Sequence, residues 1–194
     1  MPPVTDHDHR LIARAAAGDR AAFDALVRPR WERIFRIALR IVGEREDAQD
    51  VAQRACLRLW QTLDRFRPGE DLDGWIYRMV TNLAIDALRR RRARREEAVP
   101  AAPRPAPVAG QPEHRLLAAE LERALEEATA DLPPRQKAVF VLARVEGLAP
   151  TEIARMLDLA PSTVRNHLLQ ARAHVARVLE RRFPGLIGPR GGRP

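Results

Sequence analysis

The chain has 194 residues, with 34 Lys plus Arg against 26 Asp plus Glu, a formal charge of +8 and 45% apolar content. Its single cysteine, Cys56, excludes a disulfide framework and a cysteine-based zinc finger. No stretch approaches the ~20 apolar residues of a membrane span, so no membrane insertion is expected.

Aromatics make up only 5% of the chain, and Ala, Leu, Arg and Glu dominate the rest. Those residues lose little rotamer freedom on a helical backbone. The expected fold is all-α: two small helical domains joined by a Pro-rich linker, the second ending in a helix-turn-helix. Lys137 is the one lysine. An arginine surplus suits a polyanionic partner, although GC-rich coding DNA would raise Arg and Ala as well.

Residues 1–10 carry charges and no apolar core, so they are read as a disordered terminus and not as a secretion signal; a cytoplasmic protein is expected. The first block, 11–96, opens with a helix capped by Asp19. Pro29 marks a break before a helix from Trp31 to Val42, which Gly43 ends. A helix from about Glu46 to Leu63 points Val51, Ala55, Leu59 and Leu63 inward. Another, from about Leu72 to Arg95, carries Ile76, Met79, Val80, Leu83, Ala84 and Ala87 at core spacing. Residues 97–113 hold five prolines and read as an extended linker.

The second block, 114–182, begins with an amphipathic helix from roughly His114 to Ala128. A helix from the Pro133-Pro134 pair then runs to Glu146, where Gly147 stops it. Residues 183–194 read as a disordered tail. Between them, Ala149 to Val178 has a helix-turn-helix pattern. Ile153, Ala154 and Leu157 form the inner face of a short helix, and Asp158 to Pro161 make a tight turn. Asp158 stands where many such turns place a left-handed glycine, a region that Asp tolerates. Ser162 is expected to cap the second helix. Val164, Leu168, Ala171, Val175 and Val178 form its buried stripe. The opposite face at its start presents Thr163, Arg165, Asn166 and Gln170. That puts base-reading and phosphate-binding groups where a DNA-reading helix needs them; an ordinary hairpin with a solvated face would show the same polarity.

Two faces of the first block have polar patterns with two readings each. Asp47, Asp50, Arg54 and Leu57 share one side of their helix; the acids complement the helix dipole and also suit a docking surface. Trp75 sits near the start of the next helix, Arg78, Asn82 and Arg89 share a side of it, and Arg89 to Arg92 form a basic run followed by Arg94 and Arg95. A basic last turn complements the dipole, and aromatic and amide groups beside arginines also suit unstacked bases on a phosphate track.

The segments DAQDVAQRACLRLWQTLDRF, LDGWIYRMVTNLAIDALRRRRARR and LPPRQKAVFVLARVEGLAPTEIARMLDLAPSTVRNHLLQARAHV resemble, in that order, the two conserved domains of extracytoplasmic-function (ECF) sigma factors. The resemblance covers about four fifths of the chain. It implies that 11–96 is sigma region 2 and 114–182 is sigma region 4. It implies a core RNA polymerase contact through Asp47, Asp50, Gln53 and Leu57. Trp75, Arg78, Asn82 and Arg89 would engage the melted −10 element. The helix bearing Ser162, Thr163, Arg165, Asn166 and Gln170 would read the −35 element. The partners implied are core polymerase, promoter DNA and an anti-sigma factor; no cofactor, metal or catalytic residue is implied. Arg54 and Gln49 stand where the family usually has acids, and Asn166-His167 replace a more usual small and basic pair.

An enzyme on DNA would need a nucleophile, yet the only serine, Ser162, is committed to the turn and the only tyrosine, Tyr77, to a helix. The five histidines lack metal-ligand spacing. A conventional helix-turn-helix regulator acting on duplex DNA without polymerase is the alternative; it would bind a symmetric site alone.

Overall fold

The computed structural model describes residues 5–67, 69–97 and 113–184. Its regular elements are all helical: α1 (Asp6–Ala16), α2 (Arg20–Val27), α3 (Trp31–Val42), α4 (Arg45–Thr62), α5 (Leu72–Glu97), α6 (Glu113–Ala130), α7 (Pro134–Arg144), α8 (Pro150–Leu157) and α9 (Pro161–Arg182). The expected all-α architecture is what the chain adopts. Most of the linker and tail lie outside the described residues.

α1 is a correction to the expected terminus. Its first turn falls within residues 1–10, where Thr5 caps it in a reciprocal box with Asp8, and Leu11, Ile12 and Ala15 are buried. Asp8 is tied further by Arg30, which bridges it at 3.0 Å to Asp73 of α5 at 2.6 Å. Asp19 caps α2 by accepting from the Ala22 amide, as its position before the helix implied. Pro29 sits in a single 3-10 turn before α3, and Gly43 ends α3 with φ 85°.

α3, α4 and α5 pack on one another as the centre of the first block. Val51, Ala55, Leu59 and Leu63 are all buried, and Ile76, Val80, Leu83 and Ala84 line the core from α5. Met79 and Ala87 only flank it. Tyr77, Thr81 and Ile85 are buried in addition. The reason lies outside the first block: α5 also packs against α7 and α8, which widens its covered arc.

That contact makes the two blocks share one hydrophobic core. It runs from Leu11 on α1 through Ile34, Leu59 and Val80 to Val139, Leu142, Ile153 and Leu168. A smaller cluster of Ala124, Ala128, Leu132, Ala171, Val175 and Leu179 fastens α6 to α9.

Charges complete the joint between blocks. The Glu146 side chain, 2% exposed, accepts from Arg33 Nε at 2.7 Å and from Arg36 Nε at 3.1 Å. The Arg33 guanidinium carbon lies over the Tyr77 ring, 4.6 Å from its centroid. Arg92 Nη2 donates to the carbonyls of Asp131 and Leu132, so one arginine of the basic run ties α5 to the turn before α7. Burial works to raise the Glu146 pKa, but hydrogen bonds from Arg36 and Arg33 outweigh it and hold the carboxyl below its ordinary range.

Candidate nucleic-acid and partner interfaces

The helix-turn-helix is built by α8 and α9. Pro150 opens α8, Glu152 reaches back to the Ala149 amide at 2.7 Å, and Asp158 ends the helix at φ 54°, ψ 53°. Asp158 is the one non-glycine residue with positive φ among those described. Its side chain tolerates the left-handed region at modest cost, so the turn forms without glycine.

Two expectations at α9 need correction. Its N-cap is Ala160, not Ser162, and no side chain caps the end. Pro161 occupies the first turn, where its fixed φ suits the helix and its missing N–H is no loss. Ser162 is thereby the second residue of the helix, two positions past the cap, and is left exposed. Amides at the first turn of a helix lie at the positive end of its dipole, the end that suits a phosphate. The inward stripe is Val164, Leu168, Ala171, Val175 and Leu179, with Val178 only partly covered. On α8 the buried residues are Ile153, Ala154 and Met156, with Leu157 at the margin.

The predicted reading side chains share the outer face of α9. Arg165, Asn166 and Gln170 are exposed and Thr163 half-buried. Gln170 Oε1 accepts from Gln136 Nε2 of α7 at 2.7 Å, which fixes the direction of its amide. His167 points sideways. Burial, helped by Arg135, lowers its pKa, and its Nδ1 has no hydrogen-bond partner. Leu169 was missed by the sequence reading; it stands 62% exposed between the positions of Arg165 and Asn166. Its helical offset from the buried stripe was the available signal.

On α4, Asp47, Asp50, Gln53 and Leu57 are exposed together, Leu57 at 57%. The acids are not free of counter-charge. Arg54 lies 3.6 Å from Asp50, one turn along the helix, and Arg91 of α5 lies 3.7 Å from Asp47 and 3.4 Å from Glu44. Asp47, Asp50 and Arg54 face Arg90, Arg91 and Arg94 across an open groove.

On α5, Arg78, Asn82 and Arg89 are exposed along one side and Trp75 is half-buried. The Trp75 ring packs on Phe66, centroids 5.7 Å apart. Asp71 orients the helix start by accepting from the Gly74 amide at 3.1 Å. A Cβ at Gly74 would come within 2.6 Å of that carboxylate, which would have to swing aside to admit it. Arg89 has Asp86 at 3.8 Å. The arginine run is thus divided: Arg91 and Arg92 are drawn into internal ties, while Arg89, Arg90 and Arg94 face out or line the groove.

The described residues contain no cluster of His, Cys, Asp and Glu able to hold a metal ion, and none of their helices is long and apolar enough to cross a membrane.

The sigma-70 region 2 family model matches residues 26–94, and the sigma-70 region 4 model matches residues 122–175. The ECF RNA polymerase sigma factor SigM of Mycobacterium tuberculosis is 34% identical over 176 residues, covering 89% of this chain and 84% of its own length. The chain belongs to the ECF sigma factors. SigE of Mycolicibacterium smegmatis is 35% identical over 161 residues, which is 81% of this sigma factor but 62% of SigE. Among solved structures, CnrH superposes with a TM-score of 0.65 at 26% identity, covering 91% of this chain and 99% of that one. RpoE of Bartonella quintana superposes at 0.61 with 17% identity, over 81% and 96%. As a sigma factor the chain directs transcription initiation by RNA polymerase, with residues 26–94 matching region 2 and residues 122–175 matching region 4.

Proposed function

We propose that this sigma factor divides its work among three exposed helix faces. Asp47, Asp50, Gln53 and Leu57 on α4 bind core RNA polymerase. Trp75, Arg78, Asn82 and Arg89 on α5 hold the melted −10 element. Ser162, Thr163, Arg165, Asn166 and Gln170 on α9 read the −35 element in the major groove. The observation that carries this reading is the outer arc of α9, polar and exposed at the amino end of the second helix of a helix-turn-helix.

The chain acts in the cytoplasm and performs no chemistry of its own; polymerase supplies the catalysis. The solved RpoE of Bartonella quintana is described in complex with the anti-sigma factor NepR, and an anti-sigma partner is proposed here too. The closed joint around Glu146 sets one spacing between the reading faces without covering either, and polymerase resets that spacing to the promoter.

The test is the double substitution Arg165→Ala with Asn166→Ala. Promoter-specific initiation is expected to fall by at least tenfold, since each bidentate base contact is worth about 1–3 kcal/mol, with core polymerase binding unchanged. Loss of polymerase binding would contradict this division of labour.

A further inference from the structure

Leu169 is the most exposed of the large apolar side chains among the described residues. Its place on α9 is what gives it meaning. At 100° per residue, the outward arc runs Arg172, Arg165, Leu169, Ser162, Ala173, Asn166, Gln170, so this one large apolar group stands amid side chains suited to bases and phosphates. Nothing among the described residues buries it, although α7 and α8 both pack on α9. A polymerase or protein contact would be served by an apolar patch, whereas its neighbours here are Arg165, Asn166 and small residues.

The major groove presents one apolar group on its base edges, the C5-methyl of thymine. We propose that Leu169 is a specificity-determining residue that packs on a thymine methyl of the upstream promoter element. The proposal rests on the reading of α9 as the −35 helix and adds a base to it. Four residues separate Arg165 from Leu169, a rise of about 6 Å. Base pairs are stacked about 3.4 Å apart. The thymine therefore lies one or two base pairs from the pair that Arg165 contacts, on the side toward the carboxyl end of α9.

The experiment replaces thymine by deoxyuridine, which keeps every hydrogen-bonding group and deletes only the methyl. Holoenzyme reconstituted from core polymerase and the full chain is bound to a promoter obtained by transcription of a genomic library. Each upstream thymine is replaced in turn. Wild type is expected to lose three- to fivefold in affinity at one position, the scale of one buried methyl group, and Leu169→Ala to show no loss there. The residue's exposure makes Leu169→Ala safe for folding, which an unchanged thermal melt would verify.

Affinity that is insensitive to uracil at every upstream position overturns the proposal, as does a methyl effect that survives Leu169→Ala. Reduced binding of Leu169→Ala to core polymerase without DNA would assign the residue to a protein contact and also overturn it. Failure of the wild-type chain to drive initiation at all would instead remove the underlying −35 reading.

Discussion

Lys137 shows how a single buried charge shapes the behaviour of the joint. The chain's one lysine is 5% exposed, beside Gly43 at the end of α3. Burial pushes its pKa down to about 8, repulsion from Arg91 and Arg92 adds to that, and Glu126 opposes it. The unfolded chain keeps this proton to about its ordinary 10.5, so the folded chain releases it first as pH rises. The charging penalty is therefore fully present below pH 8 and is relieved above it. Cys56, whose thiol burial raises to about 11, works against stability once pH passes its ordinary 9. Denaturant melts are expected to show stability rising by about 1 kcal/mol between pH 8 and 9, and Lys137→Met to be flat across that window. Wild-type stability that falls there would contradict the burial of a charged lysine.

At the scale of single residues, legibility followed local chemistry. Gly43 and Asp158 serve a left-handed backbone geometry that few residues accept, and Asp19 supplies a capping oxygen, so their roles could be read from position. Ser162 was misassigned because its capping oxygen was weighed above Pro161, whose ring is already suited to the first helical turn. Leu169 escaped notice because an exposed leucine breaks no rule of helical periodicity.

Among elements, α4 carries a counter-charge within its own acidic face. Arg54 sits one turn from Asp50 and neutralises part of the acidic face proposed for polymerase. Exposed pairs at this spacing contribute only about 0.3–0.5 kcal/mol, so the effect is modest and has a sign. Arg54→Ala frees Asp50 and removes a positive charge from the acidic face proposed to meet polymerase. Its affinity for core polymerase is expected to rise two- to threefold at low salt and to converge with wild type at high salt. Unchanged or weaker binding would remove Asp50 from the contact. The helices themselves were legible to within a few residues because their 3.6 periodicity and their Gly and Pro punctuation agree. The second buried flank of α5, at Tyr77, Thr81 and Ile85, was not, since it depends on docking of a distant block.

For the whole molecule, the sequence implied two separately folded units, and the structure joins them through one core sealed by Glu146. Buried ion pairs add little net stability against their desolvation cost, but removing one partner exposes the loss. Arg33 and Arg36 remain partly open to water, which limits that loss here. Glu146→Gln is expected to cost about 1–2 kcal/mol and to increase the radius of gyration in X-ray scattering. A destabilised variant of unchanged size would mean that the joint rests on its apolar contacts alone. The division into blocks was readable from prolines, whereas their docking depends on Arg33, Arg36 and Glu146 meeting across 110 or more residues, for which sequence spacing holds no signal.

The central claim is tested most directly by reconstitution. Core RNA polymerase from the source organism, with and without this chain, would transcribe a fragmented library of the same genome. New start sites sharing two elements at fixed spacing are the expected result. An absence of new starts, together with protection of symmetric duplex sites by the chain alone, would contradict it and favour a conventional regulator.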